Sequence, residues 1–374
     1  MHFECPECGK TYDYGQLIWK CQCGSYINLI QSVRFEKANI KTDRLSMWRY
    51  DDAYPVKYEE LTATYNEGMT PLINIDFNGA RPNVKLDSLM PTGSFKDRGV
   101  VMVINYLKKY GADFITEDSS GNAAASVGAY CALAGMEARI FVPEGNSSGK
   151  IMQTAAYGAG INPISGTRDQ VAMAAQQFES SYAGHNWHPV FCQGIKSIAY
   201  EIWEQLGYNA PDSIITPCGG GSLTLGIIKG FKELLENGEV DRLPKVYAVQ
   251  PQNCNPIVRY FNDDISQFNP EPTIAEGTAI AFPVKPKEIT EQVRSTNGAV
   301  IDVTEDEIKS SLKTVCGKGI YIEPTSAIAF AAFEKLLRNE GIEKSENTVI
   351  VASGNGLKAA GTVNEIMRMG NDNG

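Results

Sequence analysis

Residues 114–145 read FITEDSSGNAAASVGAYCALAGMEARIFVPEG, and this stretch decides the fold class. FITED (114–118) predicts a strand, a turn rich in Ser and Gly follows, and ASVGAYCALAG predicts a helix that ends at Gly135. ARIFVPEG (138–145) then predicts a second strand. A strand, a helix and a strand in this order form a βαβ unit, whose two strands run parallel.

The same alternation continues along most of the chain. Further strands are predicted to begin at residues 83, 213, 245 and 348. Further helices are predicted over residues 99–111, 150–158, 168–181, 195–207, 224–238, 305–315 and 325–341. Residues 31–66 are polar and aromatic and predict an irregular segment with one or two helices. We therefore predict an α/β fold with open, mostly parallel sheets.

Composition and charge narrow the classes of function. The chain has 374 residues, of which 43% are hydrophobic and 21% charged, and its net charge is −10. An acidic chain is not expected to bind nucleic acid, because phosphate neutralisation needs clustered Lys and Arg. We found no apolar run near the ~18 residues that span a bilayer, and the start MHFECPECGK does not resemble a signal peptide. We expect a cytoplasmic protein without membrane association.

Four of the nine cysteines fall near the start of the chain, in the stretches CPECG and CQCG. Each pair of thiols precedes a glycine, and the four residues are Cys5, Cys8, Cys21 and Cys23. Four thiolates predict one tetrahedral zinc ion without an open coordination position, which is a structural site. The alternative is a metal-free hairpin with reduced thiols, although residues 1–30 hold few apolar groups with which to fold unaided.

The stretch MPTGSFKDRG (90–99) carries a candidate reactive amine. Lys96 follows a Gly–Ser turn and opens a predicted helix. The helix macrodipole disfavours a positive charge at that end, so the neutral amine becomes more available. Such an amine can form a Schiff base with an aldehyde cofactor. The alternative is a solvated lysine in an ordinary first turn.

The stretch DSSGNAAASVG (118–128) offers successive backbone amides at a predicted helix start. This arrangement suits a carboxylate, and the side chain of Asn122 adds an amide donor. The alternative is an ordinary helix cap, because Ser and Asn are leading N-cap residues.

The stretch PCGGGSLTLG (217–226) predicts a phosphate cradle. Gly219, Gly220 and Gly221 precede Ser222 at the start of a helix, and glycines let backbone N–H groups wrap a phosphate there. The stretch matches neither a dinucleotide fingerprint nor a P-loop, which favours a phosphate-bearing cofactor over a nucleotide. The alternative is a structural glycine turn.

A fourth stretch, ASGNG (352–356), presents the hydroxyl of Ser353 after a strand, or is simply a turn. All four stretches lie where a strand gives way to a helix, which is where ligands bind in open α/β sheets. Together they predict one site with an amine, a carboxylate cradle, a phosphate cradle and a hydroxyl.

These stretches, in this order, resemble the threonine synthase family of fold-type II pyridoxal-phosphate enzymes. The likeness covers about residues 68–360. PTGSFKDRG is its most specific part, and EGMTPL (67–72), GIYIEPTSA (319–327) and SGNGLK (353–358) support it. The resemblance implies two open α/β domains of the tryptophan synthase β type and a possible homodimer. The implied domains are a zinc ribbon (1–30), a large cofactor-binding domain (31–99 and 191–374) and a small α/β domain (100–190).

The resemblance also implies roles for individual residues. Lys96 would carry the pyridoxal phosphate and move protons, and Asn122 would donate to the phenolate oxygen of the cofactor. Ser353 would face the pyridine nitrogen. The cofactor phosphate would be bound by Gly219, Gly220, Gly221 and Ser222. The carboxylate of a small amino-acid substrate would be placed by Ser119, Ser120 and Ala123.

The implied reaction converts O-phosphohomoserine and water to threonine and phosphate. Three departures from the family pattern leave an alternative open. One is the glycine loop GGGSL (219–223), which resembles that of the dehydratases more than the GNAGN form. Many members have an Arg in an NPYRLEGQK-like stretch, where HPVFCQGIK (188–196) has Phe191, and many have a Thr where this chain has Ala123. Candidate replacements for that Arg are Lys150, Arg168 and Lys196. The alternative is β-elimination or β-replacement on serine- or phosphoserine-type substrates, as in cysteate synthases or threonine and serine dehydratases.

Overall fold

The computed structural model describes residues 1–145, 149–166, 168–178, 181–264 and 266–368, in which strands and helices alternate. The strands are β1 (His2–Glu4), β2 (Thr11–Asp13), β3 (Asn28–Ile30), β4 (Leu72–Asn74), β5 (Asn83–Lys85), β6 (Phe114–Glu117), β7 (Glu137–Pro143), β8 (Gly160–Ile164), β9 (Ser181–Tyr182), β10 (Ser213–Pro217), β11 (Lys245–Pro251), β12 (Ala299–Val303) and β13 (Thr348–Val351). The α-helices are α1 (Lys96–Lys109), α2 (Asn122–Ala134), α3 (Gly149–Ala156), α4 (Arg168–Gln177), α5 (Phe191–Ile195), α6 (Ser197–Gln205), α7 (Ser222–Glu236), α8 (Pro256–Phe261), α9 (Pro286–Arg294), α10 (Glu305–Gly317), α11 (Pro324–Arg338) and α12 (Ala360–Arg368).

The chain divides into two units. The first unit comprises Met1–Met69 and Lys96–Ser197, and the second comprises Thr70–Phe95 and Ile198–Gly374. Each unit contains a sheet with parallel strands that are joined through helices, which confirms the predicted α/β class.

The first unit contains two sheets. Its N-terminal part is a small antiparallel sheet in the order β2-β1-β3, and its larger sheet is parallel in the order β8-β7-β6-β9. The predicted βαβ unit is β6-α2-β7, and Gly135 ends its helix in the left-handed conformation (φ +63°). A helix C-terminus favours glycine in this conformation because it has no Cβ to clash.

Residues 31–69 belong to the first unit, which differs from the predicted division that placed residues 31–99 with the larger domain. Polar contacts with helices α1 and α2 account for this position. Asn105 accepts the N–H groups of Thr62 and Ala63 at 2.7 and 3.0 Å. Buried Glu67 accepts the hydroxyl of Tyr130 at 2.9 Å. The N–H groups of Thr62 and Ala63 and the hydroxyl of Tyr130 thus meet acceptors more than 40 residues away, which local sequence patterns do not reveal.

The second unit is built on a six-stranded sheet in the order β12-β11-β10-β13-β5-β4. All neighbouring strands are parallel except β4, which pairs antiparallel with β5. A large apolar cluster beneath the sheet includes Phe330 and Phe333 of α11 and Ile350 of β13. Such parallel strands are covered on both faces, and the burial of every residue of β10 and β13 agrees with that.

The predicted helices and strands named above all occur, with ends that differ by a few residues. The sequence did not predict the strands β1 to β4, β8, β9 and β12 or the helices α5, α8, α9 and α12. β8 contains Pro163 and lies at a sheet edge, which is where a strand tolerates proline. Among the described residues, none of the helices combines the length and apolar composition that a bilayer crossing requires.

Candidate active site

Lys96 is the first residue of α1 and is half-buried. The turn before it is tied to the end of β13 within the second unit. Ser94 forms an isolated bridge with Gly354, and the N–H of Phe95 donates to the carbonyl of Ser353 at 3.0 Å. The backbone that leads into the lysine is therefore anchored on both of the residues that precede it.

The ring of Phe191 lies beside Lys96 within the first unit. The ring centroid is 5.5 Å from Nζ, which is within the range of a cation–π contact. Two glycines allow this approach of α5 to α1. A Cβ at Gly99 would lie 2.5 Å from the Phe191 ring, and a Cβ at Gly194 would overlap the carbonyl of Arg98. At the position where the resembled sequence pattern has an Arg, this chain thus has a buried aromatic ring beside the amine of Lys96.

A buried pair of titratable groups lies next to that ring. His185 Nδ1 and Glu117 Oε1 are 2.8 Å apart, and the His185 ring is 5.9 Å from the Phe191 ring. Glu117 ends β6, directly before the 118–122 loop. Sequence reasoning missed this pair, although an acidic residue at the end of a strand and one of only three histidines were visible signals.

The loop before α2 is shaped by Ser119 rather than capped by Asn122. Gly121 is the N-cap residue and Asn122 is the first residue of the helix. Ser119 Oγ accepts the N–H of Gly121 at 3.1 Å, and Ala123 is buried. The cap alternative for Asn122 is wrong, because a first-turn residue does not occupy the capping position.

The glycine loop between β10 and α7 has no room for a side chain at two of its positions. Gly221 caps α7 with φ +85°, and a Cβ there would overlap Ile289 Cδ1 and lie 2.5 Å from its Cγ1. A Cβ at Gly219 would lie 3.0 Å from the carbonyl oxygen of Gly277. The loop therefore presents backbone rather than side chains at a helix N-terminus, where N–H groups and the macrodipole favour a phosphate.

Ser353 follows β13, the neighbour of β10 in the sheet. Because β10 and β13 are parallel, the glycine loop and Ser353 lie at the same edge of the sheet. Ser353 is 2% exposed, and its Oγ is 3.0 Å from Oγ of Ser326. Sequence reasoning quoted the stretch around Ser326 but did not single out this residue.

The four predicted metal ligands lie together. The Sγ atoms of Cys5, Cys8, Cys21 and Cys23 are within 4.8 Å of one another. The pairs Cys5–Cys23 and Cys8–Cys21 are both 3.6 Å apart, close to the ~3.8 Å that a tetrahedral ion with bonds of about 2.3 Å to sulfur would give. The two turns are closed by Gly9 and Gly24, whose φ angles are +70° and +93°.

The structure answers part of the question about a substitute for the missing Arg. Lys196 is fully buried, and its Nζ donates to the carbonyl of Ala53 at 2.8 Å. Lys150 is buried in α3. The side chain of Arg168 lies outside the described residues. Lys196 is therefore withdrawn from solvent and held by a backbone acceptor, which disfavours it as the residue that replaces the Arg.

Comparisons with known proteins agree with this geometry. Residues 63–354 match the family described as pyridoxal-phosphate dependent enzyme. The chain is 34% identical to the threonine synthase of Methanocaldococcus jannaschii, over 95% of this chain and 92% of that protein. It is 30% identical to the threonine synthase of Methanosarcina acetivorans, over 98% of this chain and 94% of that protein.

Two solved structures share the fold. The processed form of threonine deaminase isoform 2 from Solanum lycopersicum superposes with a TM-score of 0.70 at 22% identity, over 91% of this chain and 92% of that one. Serine racemase from Dictyostelium discoideum superposes with a TM-score of 0.64 at 27% identity, over 77% of this chain and 92% of that one.

Proposed function

This chain belongs to the pyridoxal-phosphate dependent enzyme family and is a threonine synthase-like lyase, and we propose that it converts O-phosphohomoserine and water to threonine and phosphate. The observation that supports the reaction is the 34% and 30% identity to two threonine synthases over most of the chain, and the one that supports the cofactor is the glycine loop before α7. Its two tightly packed glycines leave only backbone to meet a ligand phosphate. The residues present thus fit the cofactor that the family uses.

The residues proposed for the phosphate and the ring nitrogen of the cofactor belong to the second unit. Pyridoxal phosphate supplies an electron sink that stabilises negative charge on the carbon atoms of a bound amino acid. In the second unit, the N–H groups of Gly219, Gly220, Gly221 and Ser222 would hold its phosphate, and the hydroxyl of Ser353 would meet its ring nitrogen. A hydroxyl, unlike a carboxylate, does not hold that nitrogen protonated, which favours elimination and replacement over transamination.

In the first unit, Lys96 would attach the cofactor, and its freed Nζ would remove the α-proton of the substrate and then a β-proton. Asn122 would donate to the phenolate oxygen of the cofactor. The 119–123 loop would hold the substrate carboxylate, since its N–H groups lie at the start of α2. Ser119, Ser120 and Ala123 are the residues that would place it. Phosphate would leave from the γ-carbon, one proton would return to the γ-carbon, water would add its hydroxyl at the β-carbon, and a second proton would return to the α-carbon to give threonine.

A substrate panel with the purified holoenzyme tests the proposal. Phosphohomoserine is expected to yield equal amounts of threonine and phosphate, and borohydride reduction before peptide mapping is expected to fix the cofactor on Lys96. Keto acid without threonine would contradict the proposed reaction. A reduced label on any other lysine would contradict the proposed site.

A second candidate is elimination on a serine- or threonine-type substrate that carries no phosphate. It is supported by the apolar ring of Phe191 beside Lys96 and by the full burial of Lys196, whose Nζ is held against the carbonyl of Ala53. Keto acid formation from serine or threonine would select this candidate. A sulfonated product formed with sulfite would select the replacement variant.

We further infer that the four-cysteine cluster holds one structural zinc ion and that the protein works in the cytoplasm as a homodimer. The tetrahedral spacing of the sulfur atoms supports the zinc. Nine free cysteines support a reducing compartment. The dimer rests on the family resemblance, and light scattering of the holoenzyme tests it.

A further inference from the structure

A second serine lies behind Ser353 in the second unit. Ser326 occupies the first turn of α11, and its side chain is 0% exposed. Its Oγ has three polar neighbours. The N–H of Gly354 donates to it at 2.8 Å, Oγ of Ser353 lies at 3.0 Å, and the carbonyl of Gly354 lies at 3.1 Å.

A count of hydrogens reduces the connections among these groups to two arrangements. A hydroxyl has one hydrogen to donate and two lone pairs. Gly354 N–H uses one lone pair of Ser326, so the hydrogen of Ser326 must go either to Ser353 Oγ or to the carbonyl of Gly354. That carbonyl already accepts the N–H of Glu323 at 3.1 Å. Both acceptors can take the hydrogen, because the carbonyl keeps a second lone pair, and Ser353 Oγ is the nearer of the two at 3.0 Å against 3.1 Å.

The position of Ser326 is fixed by its surroundings. Its own N–H donates to the carbonyl of Glu323 at 2.9 Å, and Ile322 forms a bridge with Asn355. A Cβ at Gly354 would overlap the carboxylate of Glu323, so the two segments pack too closely for a larger residue there. The hydroxyl of Ser326 is thus held against Ser353 by backbone contacts on both sides.

We propose that Ser326 is a positioning residue that donates its hydroxyl hydrogen to Ser353, so that the hydrogen of Ser353 points outward to the ring nitrogen of the cofactor. This inference rests on the proposed role of Ser353. An outward-pointing donor requires an acceptor, which is the unprotonated nitrogen. Hydrogen bonds in series also polarise one another, so the pair is a better donor than one hydroxyl alone. Ser326 therefore keeps the cofactor ring neutral.

The test uses holoenzyme loaded with pyridoxal phosphate that carries ¹⁵N in the ring, without substrate. The ¹⁵N chemical shift reports ring protonation directly and is followed against pH for the wild type, Ser326→Ala and Ser353→Ala. The matched control is Ser311→Ala, which removes a fully buried serine hydroxyl from α10 in the same unit. We expect Ser326→Ala to raise the midpoint pH of protonation by about 0.5–1 unit, a roughly threefold to tenfold change in the equilibrium. The control leaves the midpoint unchanged.

The possible failures are distinguishable. A shift in Ser353→Ala without a shift in Ser326→Ala overturns the role of Ser326 and leaves the proposed reaction intact. No shift in either variant overturns the placement of Ser353 and the inference with it. An equal shift in Ser311→Ala assigns the effect to general destabilisation and also overturns the inference. If Ser326→Ala does not fold, Ser326→Cys keeps the size with a weaker donor, and a smaller shift in the same direction is expected.

Discussion

Gly221→Ala is expected to destabilise the protein through two separable contributions. The residue has φ +85°, and an L-residue pays about 1–2 kcal/mol for the left-handed region. Its new Cβ would also overlap Ile289, which is fully buried and has little room to move. Overpacking of this kind costs about 1–3 kcal/mol, which gives a total of about 2–5 kcal/mol.

Gly238→Ala separates the two contributions because it lies just after the other end of the same helix. Its φ is +74°, but a Cβ there would meet nothing within 4 Å. Only the backbone cost of about 1–2 kcal/mol is expected. The excess of Gly221→Ala over Gly238→Ala thus isolates the overlap with Ile289.

The assay is thermal unfolding of the holoenzyme at saturating pyridoxal phosphate, together with a separate cofactor titration. At about 2–4 °C per kcal/mol, the Tm should fall by about 4–20 °C for Gly221→Ala and by about 2–8 °C for Gly238→Ala. Cofactor affinity should fall only in the first variant. In an Ile289→Ala background, which lacks the overlapping atoms, Gly221→Ala should cost only the backbone contribution relative to Ile289→Ala alone. Equal Tm shifts in the two glycine variants, or unchanged cofactor affinity in Gly221→Ala, would refute the reasoning.

Three further predictions concern the metal, acid stability and a buried ion pair. Metal analysis should find one zinc per chain, and Cys8→Ser should lower both the zinc content and the Tm; wild-type protein without zinc would contradict the site. Burial lowers the pKa of His188 to about 3, below the value of about 6.5 that it has in the unfolded chain. Between these two values the unfolded chain binds a proton that the folded chain does not. The free energy of unfolding therefore falls by up to about 1.4 kcal/mol for each unit by which the pH drops. Urea unfolding of His188→Phe between pH 4.5 and 7 should lack this slope, and an unchanged slope would assign it to other groups. Lys85→Met should cost about 3–5 kcal/mol, because it removes the positive charge that lies 2.7 Å from the buried carboxylate of Glu201. The double variant Lys85→Met with Glu201→Leu should recover most of that loss in the same unfolding assay. Equal losses in the single and double variants would show that the pair is not coupled.

The features that the sequence predicted depend on short-range chemistry. Three consecutive glycines before a helix, and four thiols around two tight turns, are recognisable patterns within fewer than twenty residues of chain. The βαβ stretch is recognisable for the same reason, since Gly135 marks the end of its helix. The candidate anion-binding loops and the cysteine cluster could therefore be named before their geometry was known.

The features that the sequence did not predict depend on long-range contacts. Glu117 and His185 are 68 residues apart, and their pairing follows only from the packing of the first unit. Ser326 looked like an ordinary first-turn residue, because its partner Ser353 is 27 residues away. Residues 31–69 contain no strong periodic pattern, so their association with α1 and α2 could not be inferred from the chain alone.

The N-terminal sheet has too few apolar residues for a core of its own, and it uses aromatic side chains of the first unit instead. Phe3 and Tyr14 pack against Tyr106 of α1, and Trp19 stacks edge-on against Trp187. Tyr106 also binds the backbone of Gln16 at 2.8 Å. Removal of the first thirty residues would thus expose aromatic side chains that are covered in the intact protein. A shortened version made for crystallisation should self-associate, and the leading segment should be produced together with the rest of the chain.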